Sequence, residues 1–462
     1  VAGSLAERVY FRSPLAVQNV LTSLYGLRLR RERYGGGFSS YLRDLMATQW
    51  LDAGQLAALQ TRLLRDLLAQ VAGSTPFYRE LGVRPEDITS LEDLRHFPLL
   101  SKRRVREEQQ IFVNPAIARR HLTSVHTSGT TGAPLTVVLT KEARRRNYAF
   151  FARSKLWAGV GLGDRSVTFA GRVFVPPGAT RPPFWRSNWF CRNTLFSSYH
   201  LSAATSEAYF EAMKALQPAL IDSYPSSVYI LARYMAEKGL TGIRPKAIIT
   251  SSETLLQHQR QLVEAIFGCR VFDQYGSAEQ VAFICQCEHG SYHVNPEYGV
   301  VELLDARGRP VRQGEVGEIT ATGFTNQAMP LIRYRTGDMA AWGDRPCNCG
   351  RHSSTVTQIE GRQDDLLVTV DGRLVGRLDP VFKGVDSTIA AAQIVQEDYG
   401  RIVLRLERGP RYKEADGMSV VAEIKKRLGQ EMDVTLEYPE HIARGPGGKF
   451  RAVICKVQRQ GA

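Results

Sequence analysis

KAIITSSETLLQHQRQLVEAIFGCRVFDQYGSAE, residues 246–279, decides the fold. The β-rich KAIITSS gives way to the helical HQRQLVEAIFG, and then to a second β-rich run, RVFDQYG. The same alternation extends over roughly 120 to 360, through SVTFAG at 166, SEAYFEAMKAL, ALIDSYP at 219 and SSVYILARYMAEKG. Strand and helix alternating at this pitch predict an α/β sheet with helices packed on it. VVELLD, GEITATGF and AAWGD follow at closer spacing and predict a smaller β subdomain over about 285–360. Residues 1 to about 95 read mainly helical. LDAGQLAALQTRLLRDLLAQVA (51–72) has the strongest helical period, with Asp52 as its cap. After Gly361, DLLVTVDGRLV reads as a hairpin with Asp371 and Gly372 at its tip. A helix at TIAAAQ or at MSVVAEIKKRLG, with strands such as RIVLRLE, completes a small α+β domain. The expected division is 1–361 and 362–462.

The length of 462 residues exceeds one compact core and predicts two or more domains. With 43% apolar and 23% charged residues, the composition is that of an ordinary globular protein. No apolar run reaches the roughly 18 residues of a bilayer span, and no signal-peptide pattern opens the chain. A cytoplasmic protein is the expectation, with no membrane partner. The net charge of +14 fits nucleic acid, a membrane surface or polyanionic small ligands, and equally solvated helix faces. Clusters occur at 28–33 (RLRRER), 103–106 and 144–146. No motif with base-reading geometry accompanies them, so no specific nucleic acid is expected. Charge alone decides nothing.

Ligands of open α/β sheets sit at the loops leaving the carboxyl ends of strands. That singles out SYPSS (223–227), TSSET (250–254) and DQYGSAEQ (273–280). HTSGTTGAPL (126–135) is a glycine and hydroxyl loop beside a β-rich run. It could gather N–H groups and hydroxyls around an anion, or simply turn the chain. With RYRTGD (333–338), EGRQDD (360–365) and ARGPGGKFR (443–451), these segments fall into a recognisable order. The chain resembles the adenylate-forming superfamily, within it the phenylacetate–CoA ligase branch and its CapK-like relatives. Residues 10–38 and the CEHG…YHVNPEYG segment resemble the CapK-like group specifically.

The resemblance implies a large N-terminal α/β domain and a small, mobile α+β lid, acting on ATP, Mg²⁺ and a carboxylic acid. Thr127, Ser128, Gly129, Thr130, Thr131 and Gly132 then form a phosphate loop. The lysine that usually follows it is absent, Ala133 and Leu135 standing at the candidate positions. Neutralisation must come from N–H groups, hydroxyls, Mg²⁺ and a lysine elsewhere. Ser252, Glu253, Gly276 and Ser277 are implied nucleotide-binding positions. Tyr275 resembles the aromatic residue that stacks on adenine, and Glu279 the carboxylate that holds Mg²⁺. Asp338 looks like the acceptor of ribose hydroxyls, Arg362 like the arginine that also reaches the ribose, and Asp364 like the hinge residue. Lys449 resembles the lysine that bridges the substrate carboxylate and the α-phosphate.

Seven cysteines occur in the chain. Cys191, Cys269 and Cys455 are isolated and read as buried small hydrophobes. The pairs Cys285/Cys287 and Cys347/Cys349, near His289 and His293, could build a tetrahedral nitrogen–sulfur site for zinc. The resemblance favours Cys287, His293, Cys347 and Cys349, with Cys285 or His289 as a substitute ligand, in a structural site.

The implied reaction is activation of an aryl or arylacetic acid to its acyl-adenylate, then transfer to CoA as a thioester. An amino acid or other acid is the alternative substrate, and a carrier-protein thiol or an amine the alternative acceptor. SYPSS, FAGRVF (169–174) and FTNQAMP (324–330) are expected to contribute to the pocket. A basic, zinc-stabilised polyanion-binding protein would explain the charge and the cysteine pairs, but not Glu279, Asp338 and Lys449 in family order. A nucleotide-binding scaffold is the third reading.

Overall fold

The structure, a computed structural model, describes residues 5–126, 135–176, 178–202, 204–362, 367–369, 374–375, 385, 388–443 and 450–457. Helices dominate the start: α1 (Leu5–Arg12), α2 (Leu15–Tyr34), α3 (Phe38–Thr48) and α4 (Ala53–Val71). Three short helices follow, α5 (Pro76–Leu81), α6 (Lys102–Glu107) and α7 (Gln109–Phe112). Asp52 caps α4 as expected. Its Oδ1 accepts from Gln55 N at 2.8 Å, while Gln55 Oε1 accepts from Asp52 N at 3.0 Å. Leu64, Leu67, Leu68 and Val71 then fall on one face and enter the largest core.

Strands β1 (Leu122–His126) and β2 (Thr136–Thr140) pair antiparallel as a separate hairpin, followed by α8 (Lys141–Trp157). The alternation read from the sequence comes next: β3 (Ser166–Ala170), β4 (Trp185–Asn188), β5 (Asn193–Ser197), α9 (Ser206–Leu216) and β6 (Leu220–Ser223). It continues with α10 (Pro225–Lys238), β7 (Ala247–Ser251), α11 (Gln257–Phe267) and β8 (Arg270–Gly276). Strands β9 (Phe283–Gln286), β10 (Tyr292–Val294), β11 (Gly299–Leu304), β12 (Val316–Gly323), β13 (Tyr334–Trp342) and β14 (Thr355–Arg362) complete the run. β3 and β5 to β14 join β4 in one twelve-stranded sheet, ordered β11-β12-β13-β14-β10-β9-β8-β7-β6-β3-β5-β4. The closely spaced strands expected to form a smaller β subdomain therefore extend the main sheet. Their antiparallel pairing suits short connections, whereas the parallel strands β6, β7 and β8 are reached through the helical crossovers α9, α10 and α11. Strand β7, inside the parallel run, is buried on both faces, which is why Ala247, Ile248 and Ile249 read as an unbroken apolar run.

The C-terminal sheet is ordered β19-β18-β17-β20. It comprises β17 (Ile389–Asp398), β18 (Arg401–Arg408), β19 (Asp433–Glu437) and β20 (Val453–Cys455), with α12 (Glu414–Leu428) packed on it. Val420, Ile424 and Leu428 of α12 meet Ile394, Ile402 and Leu404. The helix expected at either of two places is α12. TIAAAQ is instead the start of β17, because pairing with β18 overrides the local helix propensity of three alanines. The expected hairpin is present as β15 (Leu367–Val368) paired with β16 (Leu374–Val375); its tip, Asp371 and Gly372, lies outside the described residues. Cys191, Cys269 and Cys455 are only partly buried, against expectation; Cys269 and Cys455 pack at the margins of their cores.

Two buried charges hold the main sheet together, one to its helices and one among its strands. Arg153 of α8 donates to Glu297 Oε1 and Oε2 at 2.8 and 2.9 Å, to Asn295 Oδ1 at 2.5 Å and to Leu45 O of α3 at 2.9 Å. Despite its own burial, Glu297 is held below the ordinary carboxylate range by this guanidinium. Asp273 of β8 accepts from Thr250 Oγ1 of β7 and Tyr292 Oη of β10, at 2.7 and 2.8 Å.

Replacing Arg153 by Met is expected to cost roughly 3–5 kcal/mol, because Glu297 stays buried without its partner; urea unfolding reads the loss. Asp273 gives a pH signature. Burial raises its carboxyl from 3.8 to about 6, against the hydrogen bonds it accepts. The folded chain thus binds this proton more tightly than the unfolded chain. The stability this group contributes is complete below the unfolded value and is lost as pH rises through about 6. Between about pH 5 and about pH 7.5, the wild type should lose more stability than Asp273→Asn, by up to roughly 1.4 kcal/mol per pH unit. Parallel unfolding curves across that range would refute the assignment.

Candidate active site

The parallel strands run in the spatial order β5-β3-β6-β7-β8. Chain order reverses at β3, so the connections from β3 and β6 leave on opposite sides and open a crevice at their carboxyl ends. Gly171 follows β3, and SYPSS follows β6. Tyr199 Oη donates to Gly171 O at 3.1 Å. The Tyr224 phenol is raised above its ordinary value by burial and by Glu253, against a hydrogen bond from the Gly171 backbone. Three loops thus converge here, after β3, β6 and β7. Ser227 Oγ is buried without a hydrogen-bond partner among the described residues. FTNQAMP is packed inward instead: Phe324 and Met329 join the main core, and Tyr78 Oη donates to Pro330 O at 2.9 Å.

After β7 the chain makes a sharp turn, with Ser252 at φ 72°. That left-handed residue presents Glu253 between two units. Glu253 Oε2 accepts from Ser226 N, in the first turn of α10, at 3.0 Å. The positive end of the helix favours a carboxylate there. Glu253 Oε1 accepts from Phe450 N of the C-terminal unit at 2.7 Å. A second bond joins the same two units, from Arg233 Nη1 of α10 to Ile389 O at 2.7 Å.

The loop after β8 carries the next group. Tyr275 Oη donates to Asp338 Oδ2 of β13 at 2.7 Å. Burial, then the Asp338 charge, pushes the Tyr275 phenol well above its ordinary range. Gly276 ends β8, and Ser277 Oγ is buried without a hydrogen-bond partner among the described residues. Glu279 is buried; its Oε1 accepts from Tyr334 Oη at 3.0 Å and lies 4.0 Å from Lys102 Nζ. Asp338 pairs across the strands with Arg362 at backbone level. Gly337, at φ 78°, makes the bend before it, with its N–H donating to Glu318 Oε1 at 3.1 Å.

Asp338, remote in sequence, is therefore a neighbour of Tyr275 and Glu279, and Ser252 and Glu253 stand at the end of the adjacent strand. Tyr334 and Lys102 belong to this site and were not expected. Tyr334 lies in the quoted RYRTGD, and Lys102 adjoins a basic run read only as charge. Thr127, Ser128, Gly129, Thr130, Thr131, Gly132, Asp364 and Lys449 lie outside the described residues, as does the Arg362 side chain.

Cys287, His293, Cys347 and Cys349 bring their ligand atoms within 4.8 Å of one another. Cys287 Sγ is 3.5 Å from Cys347 Sγ, and Cys349 Sγ is 3.3 Å from His293 Nε2. A tetrahedral zinc cage with metal–sulfur bonds of about 2.3 Å needs ligand separations of roughly 3.5–3.8 Å. His293 Nδ1 bonds Ser353 Oγ at 2.9 Å, which orients the ring. Burial, then the charge of Arg351, lowers His293 to about 4, keeping the imidazole neutral as a metal donor must be. Cys285 is outside this set and accepts from Asn295 Nδ2 at 3.5 Å; the His289 backbone N–H donates to Cys287 Sγ at 3.4 Å. These residues could hold one structural zinc between the β9–β10 hairpin and the β13–β14 connection.

Residues 101–329 match the AMP-binding enzyme family, and residues 367–456 match the CapK C-terminal domain. Protein CapK of Staphylococcus aureus is 24% identical over 462 residues, covering 97% of this chain and 99% of that protein. A phenylacetate-coenzyme A ligase of Thermus thermophilus is 26% identical over 453 residues, covering 87% and 96% respectively. Among solved structures, a 2-hydroxyisobutyryl-CoA ligase in its postadenylation state superimposes with a TM-score of 0.68 at 20% identity, covering 89% of this chain and 92% of that one. That likeness is one of fold.

Elemental analysis of the purified chain is expected to find one zinc per molecule, and Cys347→Ser with Cys349→Ser to abolish it and lower the melting temperature. Full retention of zinc in the double variant would exclude this ligand set.

Proposed function

The chain belongs to the adenylate-forming enzymes, in the branch of CapK and the phenylacetate–CoA ligases, and from that premise we propose that it activates an aryl or arylacetic acid and transfers it to CoA. The observation that carries this reading is the convergence of Tyr275, Glu279 and Asp338 beside the crevice at the switch point of the sheet. Two tyrosines, Tyr199 and Tyr224, bond Gly171 at its mouth, and they favour an aromatic acid there.

The ATP phosphates lie along the loop from Thr127 to Gly132, with the adenine on Tyr275 and the ribose hydroxyls on Asp338 and Arg362. Asp338, bonded to Tyr275 through Oδ2, is the carboxylate that would accept them. Glu279 is the hard oxygen ligand that would hold Mg²⁺, whose charge offsets that of the phosphates. Lys102, 4.0 Å from that carboxylate, stands in for the lysine missing from the loop. In the first half-reaction a carboxylate oxygen of the acid attacks the α-phosphorus. The bond to the bridging oxygen breaks, and pyrophosphate leaves with its electron pair. Lys449 bridges carboxylate and α-phosphate, stabilising the charge that develops between them. In the second, the thiolate of CoA attacks the acyl carbon, and AMP leaves. The lid formed by the C-terminal unit excludes water from the reactive anhydride between the steps.

Carboxylate-dependent exchange of pyrophosphate into ATP, across aryl, aliphatic and amino acids, tests the first step. Exchange is expected with an aryl or arylacetic acid, and to fall roughly a hundredfold or more in Lys449→Ala and in Glu279→Gln. Formation of a CoA thioester from the same acid tests the second. Exchange with an amino acid alone, or undiminished exchange in both variants, would refute the assignment.

A further inference from the structure

Helix α2 is turned inside out. Its buried side is polar and small: Gln18, Ser23 and Gly26. These residues cover β4, the edge strand of the twelve-stranded sheet. Gln18 Oε1 accepts from Arg186 Nε at 2.6 Å, Asn19 Oδ1 from Ser187 N at 2.9 Å, and Ser23 Oγ from Trp189 N at 3.1 Å. At Gly26 a β-carbon would lie 2.2 Å from the Asn188 side chain, so the helix seats against the edge only because this position is glycine. The opposite face carries Val17, Val20, Leu21 and Leu24, one stripe at helical spacing. All four are exposed, Leu24 to 51%. Arg28 and Arg31, also exposed, continue the same stripe one and two turns on. Beside it, Arg30 Nη1 holds the Phe190 carbonyl at 2.8 Å, and the neighbouring Trp189 is exposed to 55%.

We propose that this face docks on an anionic phospholipid bilayer, with α2 lying in the plane of the headgroups. An apolar stripe running into arginines, flanked by a tryptophan and a phenylalanine, has the chemistry of an interfacial helix. Charge complementarity selects the occupant. The one acid of α2, Glu32, is taken by Arg144. Arg8 and Arg12 of α1 and Arg192 beside Trp189 are exposed as well. A second copy laid on this face would bring only the same arginines to it, since an isologous contact pairs a patch with itself. Lipid phosphates neutralise them. A bilayer partner departs from the expectation of none, which weighed spans and net charge and had no view of which face of α2 is covered. Among the described residues no helix is long and apolar enough to cross a membrane, so the association is peripheral. It is independent of the reaction proposed above.

Co-sedimentation of the full chain with vesicles of phosphatidylcholine containing about 30% phosphatidylglycerol tests the proposal. Binding is expected, absent on pure phosphatidylcholine and weakened by salt. Leu24→Asp should weaken it roughly tenfold, and Arg28→Glu with Arg31→Glu by at least as much. Both sites are on the outer surface, and unchanged circular dichroism and pyrophosphate exchange would show that the variants fold. Failure to bind anionic vesicles overturns the proposal, as does binding that both variants retain. A dimer in sedimentation equilibrium that Leu24→Asp dissociates, with no vesicle binding, would assign the face to a second copy instead.

Discussion

The ion pair between Arg153 and Glu297 is the constraint on which the rest of the molecule depends. A guanidinium this deep is tolerable only when its charge is well met, and four acceptors from two segments meet its two terminal nitrogens. One side of the match is α8, which follows the β1–β2 hairpin. The other is the turn between β10 and β11, where the sheet passes from the hairpin of Cys287 and His293 to its antiparallel half. Trp157, one turn along α8, lies 5.3 Å from the Arg153 guanidinium and 4.1 Å from that of Arg351, two residues after Cys349. Helix α8, the sheet and the cysteine cluster thus share one anchor.

Around that anchor, functional groups are distributed by strand ends. The parallel strands place Gly171, Tyr224, Glu253 and Tyr275 along one rim because side connections on opposite faces leave a gap at that end only. The antiparallel strands bring Asp338 and Tyr334 back to the same rim from the far half of the sheet. Rigid strands fix these groups with more precision than loops alone would.

Much of this was legible in the sequence because the signals were local. The α/β alternation is written in periodicity, the Asp52 cap in a short motif, and the ligand cluster in paired cysteines with a nearby histidine. Where partners are remote, local signals fail. TIAAAQ is helical by composition and a strand by pairing, and the later strands look like a separate unit because their spacing says nothing about which sheet they join. Lys102 and Tyr334 carry no signal beyond their residue type until folding sets them beside Glu279. The polar underside of α2 was equally hidden, since only the covered edge strand explains why apolar residues face outward.

Glu253 is bonded on both sides of a boundary, and this gives the closed arrangement a weight of its own. A charge-assisted hydrogen bond contributes about 1.5–3 kcal/mol, a bias of roughly 10- to 150-fold toward the arrangement in which Phe450 meets it. Phe450 immediately follows Lys449, so the same bond that biases the population also sets where the preceding residue can reach. Any acceptor that needs the C-terminal unit elsewhere must bind the departed form more tightly by that factor before it appears to bind equally well. On the proposed two-step reaction, the carboxylate would thus weight the order of the halves through their free energies, with no need for either ligand to block the other.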